Sequence, residues 1–430
     1  MRRVAAILLG ALVGCAGPAA AYSQAAPVIE QLRVHGNHST PDDEVLRIAG
    51  LSIGSAVDAA TIEAAQGRLR ASGRFSSAEI RQRSRSLDDD SGVALIILVA
   101  EHAALRPPSA GEPLPRVPGV LGRLGQQTMF LPILRVEDGY GVTYGARVSL
   151  IGGRQSLTRV SVPASWGGTR QLAIEGERTF ATGRLTRLRG SAGLWRQEHP
   201  FYDLGQVRRH LDLEVAQRPH HVVGYGATAS LATVSFGAVD DRMTTAGLFA
   251  EVDTRGDPLF PRNAVFARSQ WRRLSFARPE QSGIVGQNRS QWQHDVRGYV
   301  GLIGQAVFSA RMQVESATGS LPAYAQPILG GADTLRGFRA GTAVGDNLLA
   351  ASLEVRVPVS SPLRATRLGV LAFQDVGTVW NHGQRWRDQD LARGLGAGVF
   401  LVNPFVQVQL SVARGLGRGT RVHLATGVSF

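Results

Sequence analysis

Cysteine, lysine and long apolar runs are nearly absent from this chain. The only cysteine is Cys15, there is no lysine, and no run of about 18 apolar residues follows the N-terminal segment. The last absence removes a helical membrane span. It leaves a β-barrel open, because barrel strands alternate apolar and polar residues and give little hydropathy signal. Without lysine, the formal charge of +13 over 430 residues is carried by arginine. A basic balance raises nucleic acid as a partner. The arginines are scattered through alternating segments and form no basic helix or patch. No nucleic acid is therefore expected. An arginine bias can also reflect genome composition, which carries no function.

What is present starts with a leader. Arg2 and Arg3 precede the apolar stretch Val4–Val13, and Ala19 and Ala21 have the small-residue spacing of a secretory cleavage site. Residues 1–21 read as a signal peptide cut after Ala21. Leu12-Val13-Gly14-Cys15 also fits a lipoprotein signal, with lipidation of Cys15. With the cut after Ala21 no cysteine remains, so neither disulfides nor a cysteine-ligated metal is available.

Residues 27–103 read as a small α+β domain in the order β-α-α-β-β. Val28–Val34 alternates like a strand, and His35-Gly36-Asn37 is a turn signal. Thr40, Pro41 and Glu44 suit the start of a helix that Gly50 ends. A second helix is predicted over Asp58–Ser72, with Ile62, Ala65 and Leu69 on one face. Phe75–Arg83 and Val93–Val99 complete the strands around an acidic turn at Asp88–Ser91. Residues 104–120, with Pro107, Pro108, Pro113, Pro115 and Pro118, read as a stiff linker.

From 121 to 430 the pattern is repeated alternation. Val142, Tyr144, Ala146, Val148 and Leu150 interleave with Thr143, Gly145, Arg147 and Ser149, and many later segments repeat the scheme. Strand starts are expected near Met129, Gly141, Leu157, Gln171, Leu185, Val207, Val222, Thr245, Ala264, Ser290 and Gly304, then near Leu348, Arg367, Gly394, Phe405 and Arg421. That gives an all-β transmembrane barrel of about 16 antiparallel strands, an even number as a single-chain bacterial barrel requires. The expected seam joins the Met129 region to Arg421–Phe430. Scattered arginines then face a wet lumen, the solvated wall or a lipopolysaccharide-bearing surface.

One long turn-rich connection interrupts the strands. It holds Ile328-Leu-Gly-Gly-Ala-Asp-Thr-Leu-Arg-Gly-Phe338. A confined arginine requires anionic partners, and the following segments offer Glu354 and Asp375.

These residues carry two resemblances. Val28–Val34, Gly36-Asn37, Gly50-Leu51 with Gly54, and Leu69 with Gly73-Arg74-Phe75 resemble a POTRA domain. Gly330–Phe338, Ser352-Leu353-Glu354-Val355-Arg356-Val357-Pro358, Phe373–Trp380 and Asp253–Pro261 are similar, in order, to the BamA-type outer-membrane assembly and translocation superfamily, also called bacterial surface antigen barrels. The chain also closes on an aromatic, Phe430, like an outer-membrane signal strand. The resemblance implies that the loop with Gly330, Gly331, Arg336, Gly337 and Phe338 folds back into the barrel. Arg336 then pairs with Asp375 and Glu354 on the inner wall, and Phe338 packs as a plug. It also implies a bacterial outer-membrane location, with the POTRA domain in the periplasm taking up unfolded outer-membrane or secreted polypeptides, and contact with outer-membrane lipid and lipopolysaccharide. The chain departs from the family's best-known members in having room for one POTRA domain, no plug helix and no lipase element.

Other constellations read as bland. His220-His221 is expected to point to opposite strand faces, so no metal is expected. Asp240-Asp241 reads as a turn, and the six tryptophans suit interfacial positions. No phosphate cradle, Gly-x-Ser-x-Gly element or triad emerges, so neither enzyme activity nor a cofactor is expected. The expected function is insertion or translocation of client polypeptides, with a passive pore or structural barrel as the alternative.

Overall fold

The computed structural model describes residues 27–37, 40–84, 92–101, 128–152, 156–180, 183, 185–360, 366–403 and 407–427. The leader with Cys15, the Asp88–Ser91 turn, the proline-rich linker and Phe430 lie outside the described residues.

The N-terminal domain runs β1 (Val28–His35), α1 (Asp42–Ala49), α2 (Ala59–Ala71), β2 (Phe75–Ser84) and β3 (Gly92–Glu101). Its sheet has the order β1-β3-β2, with β1 parallel and β2 antiparallel to β3. Ile29, Val45, Ala65, Leu69, Leu95 and Ile97 are completely buried between sheet and helices. Gly50 closes α1 in the left-handed region, and Asp58 caps α2 by accepting from the Thr61 N–H at 2.7 Å. The start of α1 differs from the expected capping box. Thr40 is buried and its N–H donates to Glu101, while Glu44 pairs with Arg47 instead of reaching back. Packing against β3 takes precedence there over local capping.

The second part is a closed barrel of sixteen strands. The first eleven are β4 (Thr128–Glu137), β5 (Gly141–Gly152), β6 (Ser156–Gly167), β7 (Thr169–Phe180), β8 (Arg187–His199), β9 (Leu204–His220), β10 (Val223–Phe236), β11 (Val239–Asp253), β12 (Ala264–Phe276), β13 (Asn288–Gly301) and β14 (Val307–Ala317). The long connection carries the two-residue strands β15 (Ile328–Leu329) and β16 (Ala343–Val344), paired with each other. The last five are β17 (Asn347–Ser360), β18 (Arg367–Trp380), β19 (Ala392–Val402), β20 (Gln407–Gly415) and β21 (Thr420–Gly427). β14 pairs with β17, and β21 returns to β4.

Alternation along the strands turns leucines outward. Leu172, Leu211 and Leu248 are 60%, 56% and 60% exposed on the outer face. Inside, arginines meet carboxylates across strands, as in Arg147 with Glu175, Arg159 with Glu177, and Arg268 with Glu214 and Glu251. A sheet that is apolar outside and charged inside suits a membrane around it and water within. Trp166 and Trp292 sit on the outer face. Trp195 does not: it shares a row with Gln171 and the lumenal Arg208.

Two expectations need correction. Asp240 and Asp241 do not form a turn; the turn lies at Gly237, and both residues belong to β11. A buried acid is tolerated there because Asp241 accepts from two backbone N–H groups and one hydroxyl. His220 and His221 do not diverge, because β9 ends at His220 and the turn brings the rings to 4.0 Å. The expected seam between the strand that holds Met129 and the last strand is present, with Arg135 and Val136 of β4 opposite Ala425 and Leu424.

Candidate functional site

Residues 318–346 leave the end of the barrel opposite the one where the chain enters at Thr128, and they fold into the lumen. Their inner turn is held by its own backbone. The Gly331 N–H donates to the Phe338 carbonyl, and Thr334 bonds both the N–H and the carbonyl of Gly330. Gly337 has φ 90°, and a Cβ there would lie 2.7 Å from the Arg414 carbonyl carbon. Only glycine suits that conformation and that approach.

This turn delivers Arg336 to the wall formed by β17 and β18. Its Nε and Nη2 donate to the two oxygens of Asp375 at 2.7 and 2.8 Å, and its backbone N–H adds a third bond to Asp375 at 3.0 Å. Nη1 donates to Glu354 at 2.5 Å and Nη2 to Ser352 Oγ at 2.9 Å. The Ser352 hydroxyl in turn donates to Asp375 at 2.7 Å. The guanidinium carbon sits 3.3 Å above the Phe373 ring. Arg336, Glu354 and Asp375 are 7%, 7% and 2% exposed. Burial opposes the charge on Arg336, but the bonds and charges of Asp375 and then Glu354 outweigh it, so its pKa is raised. A planar fork meeting one carboxylate bidentately is geometry that lysine cannot supply. Glu354 also accepts from Arg356 at 2.6 Å, so two cations balance two anions.

Gly330 and Gly331 form the tight start of the turn, and Gly331 abuts Glu137. Phe338 does not plug the lumen. It is buried with Leu335 and Leu329 against Val379 and Ala392 of the wall, next to Gly415. An aromatic buries more area against that small-residue wall than in the open lumen.

The loop makes further contacts that sequence reasoning missed. Across the seam, the Ala332 N–H donates to Glu137 of β4 at 2.9 Å, Asp333 pairs with Arg135 at 2.6 Å, and the Gly337 N–H meets His423 of β21 at 3.4 Å. At the loop's beginning, the Tyr324 hydroxyl donates to Asp241 at 2.6 Å, among Phe236, Phe276 and Met243. Burial, then the Asp241 carboxylate, raises the Tyr324 pKa. At its end, Asp346 accepts from the Leu321 and His382 N–H groups. Ser352 and Phe373 stand inside segments that the sequence singled out. Glu137, His423, Tyr324 and Asp241 carried no local signal.

The loop divides the lumen. A cavity of about 720 Å³ lies on the side lined by Arg159, Glu177, Arg208 and Arg272, bounded by Tyr324. A smaller one of about 360 Å³ surrounds Arg336, Asp375 and His423. Pro258, Leu259 and Pro261 line the smaller one, and Phe260 beside them stacks on Phe400 at 5.8 Å.

Comparison with known proteins agrees with this architecture. Residues 27–102 match the POTRA family described as a surface antigen variable number repeat. No curated protein matches in sequence. Among solved structures, BamA from Haemophilus ducreyi lacking POTRA domains 1–3 superposes with a TM-score of 0.56 at 14% identity, covering 94% of this chain and 84% of that one. CdiB from Acinetobacter baumannii gives 0.55 at 12% identity over 94% and 74%, and CdiB from Escherichia coli 0.56 at 11% over 94% and 76%. At such identities these likenesses speak for the fold. Residues 208–429 match the Omp85 superfamily domain, more than half of the chain, and the protein therefore belongs to the Omp85 superfamily of outer-membrane β-barrels, with one POTRA domain ahead of the barrel.

Proposed function

We propose that this barrel inserts or translocates client polypeptides, with the POTRA domain in the periplasm receiving the client. The carrying observation is the seam. β21 meets β4 through Leu424 opposite Val136 and Ala425 opposite Arg135. This pairing joins the first barrel strand to the last with no connecting turn, so it can open without unfolding a hairpin and gives a client strand a template edge. The POTRA sheet supports the same reading. The start of β1 is covered by residues 54–57, while β2 is an edge strand whose outer side can take an extended segment by strand addition. Client folding supplies the free energy, and no enzymatic step is involved. Outer-membrane lipid and lipopolysaccharide contact the outer wall.

The test is a disulfide between Val136→Cys and Leu424→Cys in protein reconstituted in liposomes. Cross-linking should abolish client insertion, and reduction should restore it. Full cross-linking with unchanged insertion would sink lateral opening. A passive pore is the second reading, favoured by the large lumenal cavity beside the loop. Steady ion conductance without insertion by the folded wild type would select it.

A further inference from the structure

The outer face of β7–β12 carries an arrangement that neither insertion nor conduction uses. Near the end of the barrel that bears the long loop, Arg170, Arg196, Arg209, Arg242 and Arg273 all point outward and are exposed. Their facing follows from their neighbours: Glu175, Ser191, Arg208, Asp212, Thr245 and Arg272 line the lumen at the alternate positions. Toward the middle of the same strands, the outer face continues with Leu172, Leu194, Leu211, Leu231 and Leu248. On β9, only Leu211, Leu213 and Val215 face outward between Arg209 and Gln217. That span is roughly 26 Å along the strand, or about 20 Å along the membrane normal at the usual strand tilt, most of the apolar band of about 25 Å expected of a barrel. The arginines therefore stand at one membrane boundary. Tyr144 and Trp166, exposed on the same outer face at neighbouring strand ends, extend that boundary as an aromatic girdle.

The register packs these cations together. Arg170 lies directly opposite Arg196. Arg209 lies opposite Leu194, two residues from Arg196, so it is the diagonal neighbour at about 7–8 Å. Arg242 follows two strands further on, with Thr233 of β10 between it and Arg209. Like charges directly opposite on a sheet repel. No salt bridge joins any of the five to a carboxylate among the described residues. The acids nearest on this face, Glu198 and Asp240, are not bonded to them, in contrast to the paired arginines of the lumen. Among the described strand residues, the opposite end of the outer face of β7–β12 has one arginine, Arg178. A concentration of unpaired guanidinium groups at a single membrane boundary calls for an anionic ligand held at headgroup depth. Phosphate is the group that the arginine fork fits bidentately.

We propose that this face is a docking surface for a lipid headgroup carrying more than one phosphate, with Arg170, Arg196 and Arg209 as its centre. The assignment rests on the outer-membrane reading, and on the proposed orientation only for which leaflet supplies the lipid. The test uses the full chain in detergent micelles, titrated with bisphosphorylated lipid A, with the same lipid after enzymatic dephosphorylation, and with inositol hexakisphosphate as a free polyanion. The readout is bound lipid by native mass spectrometry. Near a membrane surface each arginine contributes about 1 kcal/mol toward anionic lipid. Substituting Arg170→Gln, Arg196→Gln and Arg209→Gln together should weaken binding of the phosphorylated lipid roughly a hundredfold. Arg178→Gln should leave binding unchanged. If the triple variant does not fold, Arg196→Gln alone should weaken binding roughly fivefold. Equal binding of the dephosphorylated lipid, or full binding by the folded variant, overturns the proposal. Free polyanion displacing the lipid at equal concentration overturns it as a lipid site. None of these readouts depends on client insertion.

Discussion

The long loop is fixed to the barrel at two places by different chemistry. Arg336 is a full charge, bonded to two carboxylates and a hydroxyl on β17 and β18. Tyr324 is a neutral donor that gives one bond to Asp241 on β11 inside an aromatic cluster. At the first site, burial is possible only while all partners stay together, because removing one leaves a buried charge without its partner. At the second, Asp241 keeps two backbone donors if the tyrosine is lost, and the apolar packing remains. One contact is all-or-none and the other tolerates loss. The Arg336 contact is thus the attachment whose loss costs the loop most.

The strongest test of this contrast is Arg336→Ala. It leaves Glu354 and Asp375 short of their cation, and we expect a loss of about 3–5 kcal/mol, measured by urea unfolding in micelles with heat-modifiable migration as the folding check. A loss near zero would mean that water replaces the guanidinium and the latch is not all-or-none. Next in size is Tyr324→Phe, which deletes one hydrogen bond to a buried carboxylate and should cost about 1–3 kcal/mol in the same titration. If it costs as much as Arg336→Ala, the contrast fails. Combining the two should give additive losses within about 0.5 kcal/mol. A larger coupling energy would make the loop one rigid brace with no independent ends.

The smallest effect concerns pH. The folded pKa of Tyr324 is raised, by burial first and Asp241 second. Above the ordinary tyrosine range near 10.0, the unfolded chain therefore holds fewer protons than the folded one. Stability is then complete below that range and falls as pH rises through it. Unfolding titrations between neutral and strongly alkaline pH should show this slope in the wild type and a shallower one in Tyr324→Phe. An unchanged slope would assign the alkaline sensitivity elsewhere.

Sequence reasoning reached these two sites unequally, for a physical reason. Strand starts at Gly141, Ala264 and Arg367 were legible because alternation is a local property. Arg336, Glu354 and Asp375 were legible because they sit in three segments similar, in order, to the superfamily's motifs, and the resemblance supplied their pairing. Tyr324 and Asp241 are 83 residues apart, and nothing near either one marks the pairing. Asp241 reads as a turn residue in the sequence because an acid inside a strand is disfavoured unless its partners are known. Glu137 and His423 were hidden likewise: they meet the loop only once the barrel has closed. The POTRA helices show the same limit in miniature, since Asp58 caps locally and Thr40 bonds across the domain to Glu101.

The separation along the chain also bears on the order in which the barrel forms. Arg336 reaches Glu354 and Asp375 over 18 and 39 residues, and both acids lie on the adjoining strands β17 and β18. Closing such short loops costs little chain entropy. The loop and its hairpin can therefore condense as one nucleus from the C-terminal half alone. Tyr324 then waits for β11, and the contacts to Glu137 wait for a strand 195 residues upstream. Chain-entropy cost thus ranks the loop's attachments, lowest for the pair with Glu354 and highest for contacts that need the two ends of the barrel sequence joined.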